Sequence, residues 1–241
     1  MALQLGNHVL RDVLAEVGPR PRAGASQNES RHYSESFSKA LAHWLRTRVA
    51  RLFPDATIMT PEARVATVYG AKSLDVGVLD ARGYLLADFS IKTFNFKDRE
   101  TGNYRHNYTG RFYELLGEEL DLRKSYLHAT LVALVFLPVD SASDSSPSSF
   151  AHAVRQYSKV LAPAGEPAPT RFEHVFIGLH DGAGDLGFFD ASGPPPKTGL
   201  PPATRLLDAD AMIGCVAQTV ASRRPASASA GLPIPQAFRY A

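Results

Sequence analysis

Two neighbouring segments carry side chains that could bind a cation and move protons. Lys72-Ser73-Leu74-Asp75-Val76-Gly77-Val78 supplies a carboxylate, and Asp88-Phe89-Ser90-Ile91-Lys92 supplies a second carboxylate, a hydroxyl and an amine. Both read as strands, and Asp80-Ala81-Arg82-Gly83 between them reads as a hairpin turn. Side chains alternate along a strand, so Asp88, Ser90 and Lys92 share one face while Leu85, Phe89 and Ile91 take the other, towards the core. A tight loop at Ala81-Arg82 sets Asp75 opposite Asp88, and a loop two residues longer sets it opposite Ser90. In either register Asp75 shares the face of Lys92. Carboxylates facing each other repel, and one of them is driven towards its neutral form. A hard divalent cation between them removes that conflict. Mg²⁺ is suited to this, because it takes one or two carboxylates and completes its shell with water and phosphate oxygens. Asp75 and Asp88 are therefore the candidate metal ligands. Lys92 can stabilise charge on an attacked phosphate or orient the attacking water.

The elements that must hold this hairpin follow from periodicity. A short amphipathic helix is expected from Asn7 to Val17, then a Pro/Gly-rich connector over Gly18 to Ser26. Phe37, Leu41, Trp44, Leu45 and Leu52 recur at helical spacing, predicting a long helix over Ser30 to Phe53 that Pro54 stops. Strands are expected over Ala56–Thr60, Ser73–Leu79 and Tyr84–Phe94. A polar loop over Asn95–Asn107 leads into a helix over Tyr108–Tyr126. The apolar run Ala129–Leu137 reads as a strand buried on both faces. A Ser/Asp-rich linker (Val139–Ser149), a helix (Phe150–Leu161), two strands (Phe172–Leu179 and Leu186–Asp190), a Pro-rich loop (Gly193–Pro202) and a last helix (Leu206–Ser222) complete the chain. This order predicts an α/β fold with a mixed central sheet flanked by helices.

A helix, a hairpin bearing Asp on one strand and polar-x-Lys on the next, then a helix and a buried strand resembles the PD-(D/E)xK nuclease superfamily, which includes many type II restriction enzymes. The resemblance covers about residues 30–138. It implies a restriction-endonuclease-like fold and Mg²⁺-dependent hydrolysis of phosphodiester bonds in DNA by a restriction or defence-type enzyme. Asp75 matches the family's first metal-binding acid and Lys92 its lysine. The acid usually found two residues before the lysine is replaced by Ser90. The missing carboxylate must then come from Asp88, from Glu114 or Glu118 on the following helix, or from Glu35 on the preceding one. Glu35 lies off the apolar stripe of its own helix. The expected catalytic set is thus Asp75, Lys92, Ser90 and Glu35. The alternative reading is a catalytically silent module of the same fold that only binds nucleic acid.

The loop after Lys92 supplies Lys97, Arg99, Asn103, Arg105, Asn107 and Arg111, interleaved with Tyr104, His106 and Tyr108. Arg and Lys suit phosphates and Asn suits base edges, so these residues are the expected DNA contacts. Asp98 and Glu100 allow the plainer reading of a solvated loop.

Composition sets the outer bounds. The 241 residues suit a single domain over 1–223, with a core at about 30–138, elaborations over 150–223 and a loose tail at 224–241. A net charge of +2 permits a nucleic-acid partner without arguing for one. The lone Cys215 excludes an internal disulfide and reads as a small core residue. No signal sequence or membrane-length apolar run is read, so a cytoplasmic, non-membrane protein is expected. A homodimer is a further expectation, because restriction-like enzymes often pair to cut both strands.

Overall fold

The computed structural model describes residues 2–227 other than 4, 23, 61–62 and 163–170. Its centre is the apolar run anticipated above. Strand β6 (Thr130–Pro138) is buried at every position. It runs parallel to β5 (Leu85–Thr93) on one side and to β7 (His174–His180) on the other. Antiparallel strands extend the sheet on both flanks. β4 (Val76–Leu79) and β1 (Thr57–Ile58) lie beyond β5, while β8 (Leu186–Asp190) and β9 (Leu206–Leu207) lie beyond β7. The result is a seven-stranded mixed sheet in the order β1-β4-β5-β6-β7-β8-β9. β2 (Arg64–Thr67) and β3 (Gly70–Ser73) form a separate two-stranded ribbon.

Helices cover both faces. Phe37, Leu41, Leu45 and Val49 of α2 (Gln27–Leu52) and Met212, Ile213 and Val216 of α5 (Ala209–Ser227) pack with Phe89, Val132 and Phe176. Val13 of α1 (Arg11–Val17) joins the same layer. On the opposite face, Leu115 and Leu122 of α3 (Tyr108–Ser125) and Phe150, Val154 and Tyr157 of α4 (Ser149–Tyr157) pack with Leu131, Val135 and Ile177. The chain is a mixed α/β protein with helices on both faces of its sheet. Among the described residues no helix is long and apolar enough to cross a membrane.

Several boundaries differ from the sequence reading, each for a local reason. α2 begins earlier, because Ser26 and Glu29 form a reciprocal capping box at its N-terminus. α1 begins later, because Leu5, Gly6 and His8 donate their backbone N–H groups to Asp185 instead of entering a helix. The single strand expected over Ser73–Leu79 is divided: Gly70–Ser73 pairs with the ribbon and Val76–Leu79 with β5. The expected linker over Val139–Ser149 is not solvated throughout, since Val139, Ser141, Ala142, Ser148 and Ser149 are buried. β7 and β8, from the expected elaborations, extend the central sheet beyond β6. Leu206 and Leu207 form an edge strand before α5, not its first turn. α5 continues to Ser227, past the expected end at Ser222 and into the expected tail, whose residues 228–241 lie outside the described residues. Cys215 is half-buried at the margin of the α2/α5 layer.

Candidate active site

The hairpin of β4 and β5 sets the geometry. Val76 pairs with Phe89 and Gly77 with Asp88, so the register carries Asp75, just before β4, to the level of Ser90. The ladder shifts between Val78 and Leu79, where β5 carries an extra residue. Leu85 therefore packs on the α3 side of the sheet, against expectation, while Leu86, Phe89 and Ile91 pack on the α2 side. Beyond the bulge the alternation holds. Asp88, Ser90 and Lys92 face α3 and are buried there.

These side chains meet in one polar cleft of about 140 Å³, lined by Lys72, Asp75, Asp88, Ser90, Lys92 and Glu118 among others. Asp75 accepts the Ile91 N–H at 2.7 Å, which fixes one carboxylate oxygen at the strand end. Protein atoms crowd this carboxyl and raise its pKa; the Ile91 N–H and Lys92 pull it down, and Glu118 pushes it up. Asp88 is 1% exposed. Burial drives its pKa well above the ordinary carboxylate value, and Glu118 and Asp75 add to the shift. The Ser90 hydroxyl donates to Asp88 Oδ2 at 3.2 Å, whereas Oδ1 has no protein partner among the described residues. Lys92 Nζ donates to Glu118 Oε1 at 3.0 Å and stands 3.8 Å from Glu114. Lys72 Nζ lies 3.8 Å from Glu118. Glu118 thus sits between two ammonium groups, and Arg111 at the cleft margin pairs with Glu114 at 2.7 Å.

Asp75, Asp88, Ser90 and Lys92 are brought together as the spacing predicts. Glu35 is not. It lies on the exposed face of α2, 3.1 Å from Arg31, and does not line the cleft. Ser38 is the α2 residue that does, through a 3.0 Å hydrogen bond with Thr93. The acid contributed from a helix is Glu118, which sequence reasoning placed only among several alternatives. Lys72 was missed as a site residue, although its spacing from Asp75 could have suggested it.

The polar loop after Lys92 is largely tied to the protein itself. Lys97 stands 3.4 Å from Asp140, and Arg99 bonds the Ala25 carbonyl. Asn103 Oδ1 accepts the Arg105 N–H at 2.9 Å, and the Arg105 guanidinium bonds Ser145 Oγ and the Pro147 carbonyl. Asn107 takes a left-handed backbone conformation, φ 63°, as the residue that starts α3. Tyr104 and Tyr108 are buried, not free to stack on bases. Of the expected DNA contacts, only Arg111 lines the cleft.

Two features of the cleft fit a hard cation. Asp88 Oδ1 has no protein partner among the described residues, and burial raises the pKa of both Asp88 and Asp75 despite the nearby lysines, a cost that a cation between them would offset. Among the described residues no group of three or more His, Cys, Asp or Glu side chains is arranged to hold a metal by itself. Water and substrate oxygens would have to complete the shell, a mode available to Mg²⁺. No protein-family model, curated protein or solved structure matches this chain.

Proposed function

We propose that the chain is a Mg²⁺-dependent endonuclease of the restriction-endonuclease-like fold that hydrolyses phosphodiester bonds in DNA, in a restriction or defence role. One observation carries this reading. A buried lysine, two carboxylates with raised pKa values and a serine converge in a polar cleft on one hairpin, with a glutamate closing it from α3. Asp75 and Asp88 would hold the cation, whose bound water would serve as the nucleophile and whose charge would oppose that of the phosphate. The Ser90 hydroxyl orients Asp88 through its hydrogen bond. Lys92 is held beside the acids by Glu118; once a phosphate enters, its ammonium can turn from Glu118 to the non-bridging oxygens and stabilise the charge developing there. Lys72 and Arg111 place further positive charge at the cleft rim, where a phosphate backbone would pass.

The second reading, a catalytically silent DNA-binding module, is favoured by one contact. Lys92 is already paired with Glu118, and a serine stands at the position of the usual acid. Plasmid and linear DNA incubated with Mg²⁺ distinguish the two. Nicking by the wild type, with none by folded Asp75→Ala, supports the enzyme. A Ca²⁺-dependent gel shift without cleavage in Mg²⁺ supports the binding module. Cleavage by Asp75→Ala at the wild-type rate overturns the site.

A further inference from the structure

The cations inside the cleft are all engaged: Lys72 and Lys92 meet Glu118, and Arg111 meets Glu114. Two cations at its margins are not. Arg64 opens β2, and its pairing partner across the ribbon is Ser73, which lines the cleft. Paired residues on neighbouring strands set their side chains on one face, about 5 Å apart at Cβ, so Arg64 stands beside the cleft mouth. Lys39 follows Ser38, the α2 residue in the cleft wall. Both Arg64 and Lys39 are exposed. Among the described residues neither side chain makes a hydrogen bond, an ion pair or a ring contact. Arg31 and Glu35, earlier on α2, pair with each other at 3.1 Å and leave Lys39 unpaired.

The ribbon that carries Arg64 is a fixed arm. Its inner face is fastened to α3: Val65 is buried, the Tyr126 hydroxyl just beyond α3 donates to the Ala66 carbonyl at 2.7 Å, and Ser125 Oγ accepts the Val68 N–H at 3.0 Å. Alternation from Val65 puts Arg64, Ala66, Ala71 and Ser73 on the outer face, where all but the arginine are small. Small side chains let another backbone approach closely, and the major groove of B-DNA admits a two-stranded ribbon. The ribbon stands on the α3 side of the sheet while α2 covers the other face, so the two unpaired cations flank the cleft from opposite sides.

We propose that duplex DNA lies across the cleft mouth between the ribbon and α2, with Arg64 and Lys39 on its phosphates. A duplex presents a line of regularly spaced negative charges, and free cations on two elements that flank one cleft match a line better than a single anion. This rests on the reading of the cleft as a DNA site, and it assigns residues that hold the duplex without touching the reacting atoms.

Fluorescence anisotropy of the full chain with a labelled DNA duplex in Ca²⁺, over a range of salt, tests this. Arg64→Gln and Lys39→Gln should each make the slope of log K against log salt shallower by about 0.9, and the double variant by about 1.8. Both positions are exposed, so thermal melts of the variants should match the wild type. Single-turnover cleavage in Mg²⁺ at saturating DNA should match as well. Arg155→Gln, which removes an exposed arginine of α4 that does not line the cleft, should keep the wild-type slope. The proposal is overturned if Arg64→Gln or Lys39→Gln keeps that slope, or if Arg155→Gln lowers it as much, because binding would then be diffuse. Cleavage by the wild type in either event leaves the nuclease reading standing. The expected slopes without any cleavage support the contact surface and remove the enzyme alone. A wild type that neither binds nor cuts the duplex overturns both.

Discussion

Asp88 is the residue whose environment differs most from its chemistry. It is a buried carboxyl beside two other acids, with one oxygen unpartnered, and its pKa stands well above 3.8. The unfolded chain therefore releases this proton at lower pH than the folded one does. Stability contributed by neutral Asp88 is present at low pH and is lost as pH rises from the ordinary carboxylate value through the raised one. Asp88→Asn should remove that loss, raising Tm in EDTA at pH 8 and flattening its pH dependence. A cation bound to Asp75 and Asp88 offsets the same cost. Mg²⁺ at ten times its Kd should stabilise the wild type by about 1.4 kcal/mol, or about 3–6 °C in Tm, an effect that EDTA reverses. Asp75→Asn and Asp88→Asn should show little of it in thermal melts. Equal Mg²⁺ stabilisation of wild type and both variants would remove the metal assignment. Lys92→Met, which keeps the buried stem, should slow single-turnover cleavage by about 10²–10³ and leave affinity for DNA in Ca²⁺ nearly unchanged. A drop in Ca²⁺ affinity as large as the rate loss would make Lys92 a binding residue instead. The hairpin acids and Lys92 were legible because strand alternation is a local rule. The choice of Glu118 over Glu35 was not, since it depends on which helix covers that face of the sheet.

At the scale of elements, the loop between β5 and α3 shows where composition misleads. Its cations and amides have the types that nucleic acids require, yet most of them close bonds within the protein. Arg105 reaches from the start of α3 to Ser145 and the Pro147 carbonyl, joining two segments that sequence spacing does not connect. Sequence patterns carry no record of such long-range partners. Arg105→Ala should therefore destabilise the fold, by about 1.5–3 kcal/mol for the loss of hydrogen bonds to a charged group. Urea denaturation measures this, and a change below about 0.5 kcal/mol would return Arg105 to the list of surface contacts. Arg111 is the contrasting case, because it lines the cleft and its partner Glu114 is exposed to solvent. Arg111→Ala should leave stability nearly intact while making the slope of log K against log salt shallower by about 0.9, one phosphate contact. An unchanged slope would place the DNA backbone elsewhere. The divided strand at Ser73–Leu79 has a similar origin. Its residues all favour extended structure, but Asp75 spends its side chain on the Ile91 N–H, between the end of the ribbon and the start of β4.

At the scale of the whole molecule, the N-terminal segment is fastened to the far side of the sheet. Asp185, in the turn between β7 and β8, accepts N–H groups from Leu5 and Gly6 on one oxygen and from His8 on the other, each at 2.9 Å. Asp181 adds the Leu3 N–H at 3.0 Å, and Leu10 donates to the Gly184 carbonyl at 2.9 Å. This clasp sets the start of α1 and hence the path of the connector that carries Arg20 over the strand ends. The central strands and the α/β layering were readable from the apolar run at β6 and from helical spacing. The clasp was not, because it joins residues 177 to 180 positions apart through backbone donors that every residue type but proline possesses. Burial alone would raise the Asp185 pKa, but the N–H groups it accepts and the neighbouring His8 outweigh burial and lower it. Its contribution is therefore present above the ordinary carboxylate range and is lost as pH falls through the lowered value. Asp185→Ala should cost about 3 kcal/mol at pH 7, where the carboxylate is ionised, and less in strong acid, where the contribution of the ionised form is already lost. Hydrogen exchange should quicken over Leu5–Val17 in this variant while β6 keeps its protection relative to global stability. The Asp75–Lys92 cleft lies on the other flank of the sheet, so Mg²⁺ should still raise the variant's Tm as it does for the wild type. Exchange that quickens uniformly across the chain would show that the segment is an integral part of the core instead of a strap laid over it.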